Sequence, residues 1–173
     1  LATLPILFVG LLFSDLTSSR VHSIDSIAWA NLIFAGLLLF AFKFSTQSKN
    51  LIGLTIGMAL AIGCLQALAV FPGASRSGMA ITGALLVGLN LRDSSKFAFL
   101  LSIPTILSAL ILMTAKEAYI LSTDDLTILL AGFLGSAIVA FLTIRVFLKF
   151  VEQIGMTPFV IYRIGLGVLL LLL

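Results

Sequence analysis

Between two apolar stretches, the segment Phe71-Pro-Gly-Ala-Ser-Arg-Ser-Gly78 gathers an arginine, two hydroxyls and two glycines within six residues. Gly73 and Gly78 permit tight backbone turns and leave N–H groups open to a ligand. Gly78 opens an apolar run that reads as a helix, where unpaired N–H groups and the helix dipole favour an anion. Arg76 adds a planar fork of donors matched to phosphate oxygens, and Ser75 and Ser77 can donate further hydrogen bonds. The chemistry these residue types share is the binding of a phosphate or pyrophosphate group. A plainer alternative stays open: Arg76 in an extramembrane loop between two ordinary spans, with the serines capping the helix that follows.

The elements that must position this segment are apolar. Of 173 residues, 61% are hydrophobic and 10% charged, with a mean hydropathy of +1.25; a soluble domain carries about 25% charged residues. These numbers exclude disordered, nucleic-acid-binding and disulfide-stapled classes and place the chain among polytopic membrane proteins. The net charge of +3 comes from basic residues scattered singly between apolar segments, so it speaks to topology. Cys64, the one cysteine, lies in an apolar run and reads as a small packing residue. The chain opens at Leu1, without Met and already inside an apolar stretch, and is expected to be a fragment, residues 1–173 forming a single transmembrane domain.

Crossing a hydrocarbon core takes about 20 helical residues. Stretches of near that length run from Ile27 to Phe42, Leu51 to Val70, Lys96 to Thr114, Leu126 to Phe147 and Pro158 to Leu173, with Leu1 to Phe13 as a further partial one. Ser77 to Leu91 is apolar but too short to span. Lys43 and Lys49; Arg92, Asp93 and Lys96; and Arg145, Lys149 and Glu152 form three basic loops, expected on the cytoplasmic side. Asp15, Arg20, His22 and Asp25, and Lys116, Glu117, Asp124 and Asp125, form acidic loops outside. With Lys49 and Arg92 on one side, Leu51 to Leu91 must enter and return. The expected fold is therefore an all-α polytopic helical bundle with a re-entrant helix–loop–helix, its turn at Phe71 to Gly78 lining a cavity. Small residues at Gly53, Gly57 and Ala61, at Ala80, Ala84 and Gly88, and at Gly132, Ser136 and Ala140 are spaced for close helix packing. Pro104 should kink its helix.

Gly63-Cys-Leu-Gln66 followed by Phe71-Pro-Gly-Ala-Ser-Arg-Ser-Gly78 resembles a signature of the undecaprenyl pyrophosphate phosphatases of the bacitracin-resistance family, Pro-Gly-x-Ser-Arg-Ser-Gly. Ala2-Thr3-x-Pro5, Phe97-x-Phe99-Leu-Leu-x-Ile-Pro104 and Pro158-Phe-x-Ile-Tyr-Arg163 extend the likeness over most of the chain. It implies a bacterial inner-membrane hydrolase that removes one phosphate from undecaprenyl pyrophosphate and recycles the carrier of peptidoglycan. On this reading Arg76, Ser75 and Ser77 are expected to be catalytic and Gly73, Gly78, Gln66 and Thr82 to bind substrate, Gln66 bonding the phosphate, a bound water or the turn's backbone. The likeness implies a divalent metal (Mg or Ca) held by a glutamate-rich segment not found in residues 1–173. This chain alone is then expected to be inactive. Ala80 departs from the pattern, since it stands where the family has threonine. The partners implied are a polyprenyl pyrophosphate and membrane lipid, not nucleic acid, with a homodimer left open.

Other polar residues carry less. His22 and the loop aspartates Asp15, Asp25, Asp124 and Asp125 read as loop charges and helix caps, with attraction of a divalent ion the lesser alternative for Asp124 and Asp125. Arg163, which resembles the family's Tyr-Arg pair, reads as a side chain that snorkels or pairs within the bundle, with direct substrate contact the lesser alternative. A phosphatidic-acid-type phosphatase needs a histidine shortly after its Ser-Arg pair; Thr82 stands there instead, and no histidine follows. A lipid-phosphate flippase or transporter, binding anions at broken helices, remains the alternative of another class.

Overall fold

The computed structural model describes residues 1–12, 23–116 and 123–172, the side chains of 113, 115, 116 and 123–126 excepted. Asp15, Arg20, His22 and Glu117 lie outside the described residues, as do the side chains of Lys116, Asp124 and Asp125. Among the described residues seven α-helices follow in order: α1 (Leu4–Leu12), α2 (Ile24–Phe44), α3 (Ile56–Ala67), α4 (Arg76–Leu86), α5 (Leu91–Lys116), α6 (Thr123–Ile154) and α7 (Thr157–Leu171). Two 3₁₀ turns, Leu51–Gly53 and Leu68–Val70, bracket α3. Stretches within α2, α5 and α6 are long and apolar enough to cross a membrane, and the chain is an all-α polytopic membrane bundle.

The re-entrant pair is present and its geometry explains itself. With 12 and 11 residues, α3 and α4 reach about 18 and 16 Å, well short of a hydrocarbon core near 30 Å. Their outer ends are tied together. Lys49 N–H donates to the Gly88 carbonyl at 2.9 Å, and Asn90 N–H donates to the Lys49 carbonyl at 2.9 Å, an isolated parallel bridge. Asn90 also caps α5, its Oδ1 accepting from Asp93 N–H at 2.8 Å, while Asp93 Oδ2 accepts from Leu51 N–H at 3.1 Å. Entry and exit are thereby joined at one level of the bundle.

Packing centres on α4, which lies against α2, α3 and α5, while α1 packs on α3 and α2 on α7. Gly83 of α4 fits against Ile62 of α3, where a Cβ would stand 3.1 Å from the Ile62 Cα. At Gly63 an added Cβ would lie 2.1 Å from the Ala2 carbonyl oxygen, so only glycine lets α1 approach.

Several expectations need correction. Arg92, Asp93 and Lys96 lie in the first turns of α5, and Arg145, Lys149 and Glu152 lie within α6, so neither group is a loop. These charged residues are good helix formers, so both helices continue past the apolar limit, where Arg92 pairs with Glu152. Of the three small-residue rows, Ala80 and Ala84 pack, both buried. Gly57 and Gly132 face open space, and Ala61, Ser136 and Ala140 are exposed. Spacing alone does not say which face meets a neighbour. Cys64 is exposed on α3 and packs against nothing central. Pro104 does fall inside α5, where it removes one helical donor.

Candidate active site

The chain from α3 to α4 turns on Gly73, whose φ of +91° suits a residue without a Cβ. A Cβ there would also lie 2.5 Å from the Ile27 carbonyl oxygen of α2. Ala74 N–H closes the turn on the Phe71 carbonyl at 3.0 Å. Ser75 then caps α4: its Oγ accepts from Gly78 N–H at 3.2 Å while its carbonyl accepts from Met79 N–H at 2.9 Å. Ser75 Oγ and Ser77 Oγ are 3.3 Å apart, so one can donate to the other. The capping role of the plainer reading is real, but a capping oxygen keeps its own proton to give.

This turn forms one end of a cleft of about 430 Å³. Gly73, Ala74, Ser75, Ser77 and Gly78 contribute from the turn, Asn31 from α2, and Tyr162 and Arg163 from α7. The rest of the wall is apolar: Leu38, Ile81, Phe147, Met156, Phe159 and Leu166. The lining therefore combines polar donors with large apolar side chains.

The structure brings together Gly73, Ser75, Ser77 and Gly78. Arg76 is exposed, does not line the cleft, and makes no hydrogen bond or ion pair among the described residues. Thr82 is fully buried, with its hydroxyl donating to the Gly78 carbonyl at 2.7 Å, which steadies the first turn of α4 from behind. Gln66 is buried near the end of α3; its Nε2 donates to Thr105 Oγ1 at 3.2 Å and its Oε1 has no partner among the described residues. Neither Thr82 nor Gln66 reaches the cleft wall.

Asn31 and Arg163 are what sequence reasoning underrated. Arg163 Nε donates to Asn31 Oδ1 at 2.8 Å, Asn31 Nδ2 donates to the Arg163 carbonyl at 2.8 Å, and Arg163 Nη2 donates to the Gly73 carbonyl at 2.9 Å. An asparagine inside an apolar helix was the available signal, since such a residue needs a partner within the bundle. These bonds hold Arg163 inward against the turn. It pairs within the bundle and does not snorkel outward.

A family described as "Bacitracin resistance protein BacA" matches residues 1–169. The chain belongs to this family. It is 42% identical to an "Undecaprenyl-diphosphatase" from Ruthia magnifica over 98% of this chain and 64% of that protein. The same name is carried by a protein of Vesicomyosocius okutanii, 41% identical over the whole of this chain and 66% of the relative. Another, from Teredinibacter turnerae, is 43% identical over 98% of this chain and 64% of the relative. The chain thus spans just under two-thirds of the length of these curated relatives.

Among the described residues no three His, Cys, Asp or Glu side chains come together in a metal-binding group. The cleft wall offers hydroxyls, an amide and a guanidinium, and none of its lining residues is a carboxylate. That donor set fits an anion and does not fit a divalent cation. Ala80, at the family's threonine position, is buried in the α4 interface, where a hydroxyl would sit among packed helices.

Proposed function

We infer that this chain forms the phosphate-binding part of an integral membrane phosphatase that hydrolyses undecaprenyl pyrophosphate to undecaprenyl phosphate and phosphate. The observation that carries it is the cleft, in which a turn rich in hydroxyl and N–H donors opens directly onto a slot of large apolar side chains. An amphiphile with a pyrophosphate head and a prenyl tail satisfies both halves. The relatives' shared name supports hydrolysis over transport.

In this reading Ser75 and Ser77 donate to phosphate oxygens, and the first N–H groups of α4, which have no intrahelical partner, add to them. Arg76, exposed as the first residue of α4 between the two serines, is assigned by the motif to the transferred phosphoryl group, where charge builds during in-line displacement. Gly73 and Gly78 keep the backbone close to the ligand, while Thr82 and Gln66 support the turn from behind. The reading places the protein in the bacterial inner membrane as a multi-pass enzyme that returns the lipid carrier to peptidoglycan synthesis and confers bacitracin resistance. A divalent metal, Mg or Ca, belongs to it with ligands other than the cleft residues, and the homodimer stays part of the proposal.

Release of inorganic phosphate from undecaprenyl pyrophosphate by the full-length protein in detergent is the test. Arg76→Lys, which keeps the charge but loses the bidentate fork, is expected to lower kcat/KM by about 10³-fold while insertion into the membrane is unchanged. Turnover within about threefold of wild type would return the motif to an ordinary loop; lipid movement without phosphate release would favour the flippase.

A further inference from the structure

Two arginines stand near the turn, and only one of them faces the cleft. Arg163 is half-buried and lines it. Its guanidinium has five N–H donors in a fixed plane. Nε is held by Asn31 and one Nη2 hydrogen by the Gly73 carbonyl, so two of five are engaged among the described residues. The other three, both on Nη1 among them, have no acceptor among the described residues. Nη1 lies over the first turn of α4, 3.0 Å from the point a Gly78 Cβ would occupy.

No acidic group balances this charge within the cleft wall. The ion pairs of the described side chains, Arg92 with Glu152 and Lys96 with Asp93, sit at the helix ends near the re-entrant bridge. A guanidinium drawn inside a membrane bundle, beside the positive end of a helix, is electrostatically unfavourable unless an anion joins them. Ser75 and Ser77 stand on the same wall with hydroxyls to donate. Donors without acceptors, converging on one space, specify an acceptor-rich ligand of negative charge.

We propose that Arg163 is a direct phosphate-binding residue of this site, gripping the lipid's pyrophosphate from inside the cleft beside Ser75 and Ser77, and that Asn31 is its positioning residue. The proposal rests on the function inferred above and assigns the inner cation of that site. Asn31 is buried in α2 and brackets Arg163 on two sides, accepting from Nε and donating to the backbone carbonyl. That double hold fixes the direction of the fork. The Gly73 bond makes the same guanidinium a strut of the turn, so ligand grip and turn shape are coupled through one side chain.

The test compares two probes on full-length protein in detergent: a non-hydrolysable methylene-bridged farnesyl diphosphonate and farnesol, each by equilibrium binding. Arg163→Gln is expected to weaken the diphosphonate by about 10- to 100-fold, the scale of lost hydrogen bonds to a charged group, and to leave farnesol within twofold. Arg163→Lys should recover only part of the loss, because a point charge lacks the fork. Asn31→Ala, which removes both bonds to Arg163 and leaves the arginine intact but unaimed, should weaken the diphosphonate by about 3- to 10-fold, again without effect on farnesol. Equal loss of both probes in Arg163→Gln assigns the residue to the fold alone and overturns the proposal. Unchanged diphosphonate affinity overturns it too, with the phosphatase reading intact. Wild-type protein that binds the diphosphonate no better than farnesol removes the phosphatase reading and this proposal together.

Discussion

α4 and α6 differ in a way that reverses the habits of a soluble protein. The 11 residues of α4 include Arg76, Ser77, Thr82 and two glycines, yet Gly78 to Leu85 are all buried. α6 has 32 residues, and its stretch Thr127–Ile154 has a hydropathy of 2.3, with none of the span window buried. Ile128, Phe133, Ile138 and Phe141 all point away from the rest of the bundle. In a bilayer an apolar side chain gains nothing by leaving lipid for protein. The interior goes instead to residues small enough for backbones to meet and to polar groups that find partners there. α6 is long and apolar enough to cross a membrane; α4 is short and packed against α2, α3 and α5.

This contrast can be attacked where it is sharpest. Gly73→Ala, just ahead of α4, puts a Cβ at positive φ and 2.5 Å from the Ile27 carbonyl oxygen. Strain of that kind costs about 1–3 kcal/mol before any clash is relieved, so the variant is expected to lose the folded state first in thermal unfolding in detergent. Next comes Ala84→Leu, which overfills a site with 0% exposure on α4 and should destabilise by about 1–3 kcal/mol. Its counterpart Gly132→Leu on α6, with open space around the added atoms, should stay within about 0.5 kcal/mol of wild type. Equal shifts in melting temperature for that pair would undo the distinction between the two helices. Thr82→Val sits between these extremes: it keeps the volume but removes the 2.7 Å bond to the Gly78 carbonyl, for an expected loss of about 1 kcal/mol and a modest fall in phosphate release.

Much of this was legible in the residues. Hydropathy and length require membrane helices, because apolar runs of about 20 residues fit a spanning helix, whereas a barrel strand takes about 10 residues of alternating character. The charges at Lys49 and Arg92, set against an arm too short to span, require the chain to return, as the Lys49–Leu89 bridge bears out. Pro72, Gly73 and Ser75 write the turn and the cap locally, since φ preference and side-chain capping act over a few residues. Helix ends were less legible: apolar runs mark what lipid touches, and α5 and α6 continue beyond it on charged residues that are equally good helix formers.

Tertiary structure alone decided which arginine looks inward. From sequence Arg76 is the obvious cation, flanked by both serines, and Arg163 is a lone charge in a distant apolar run. Helical direction sends Arg76 outward from the start of α4, whereas the packing of α7 against α2 brings Arg163 to Asn31, 132 positions away in the chain. Local patterning fixes the turn, because its forces are short-range; the far side of the cleft depends on which helix faces dock, and no periodicity along a single helix contains that choice.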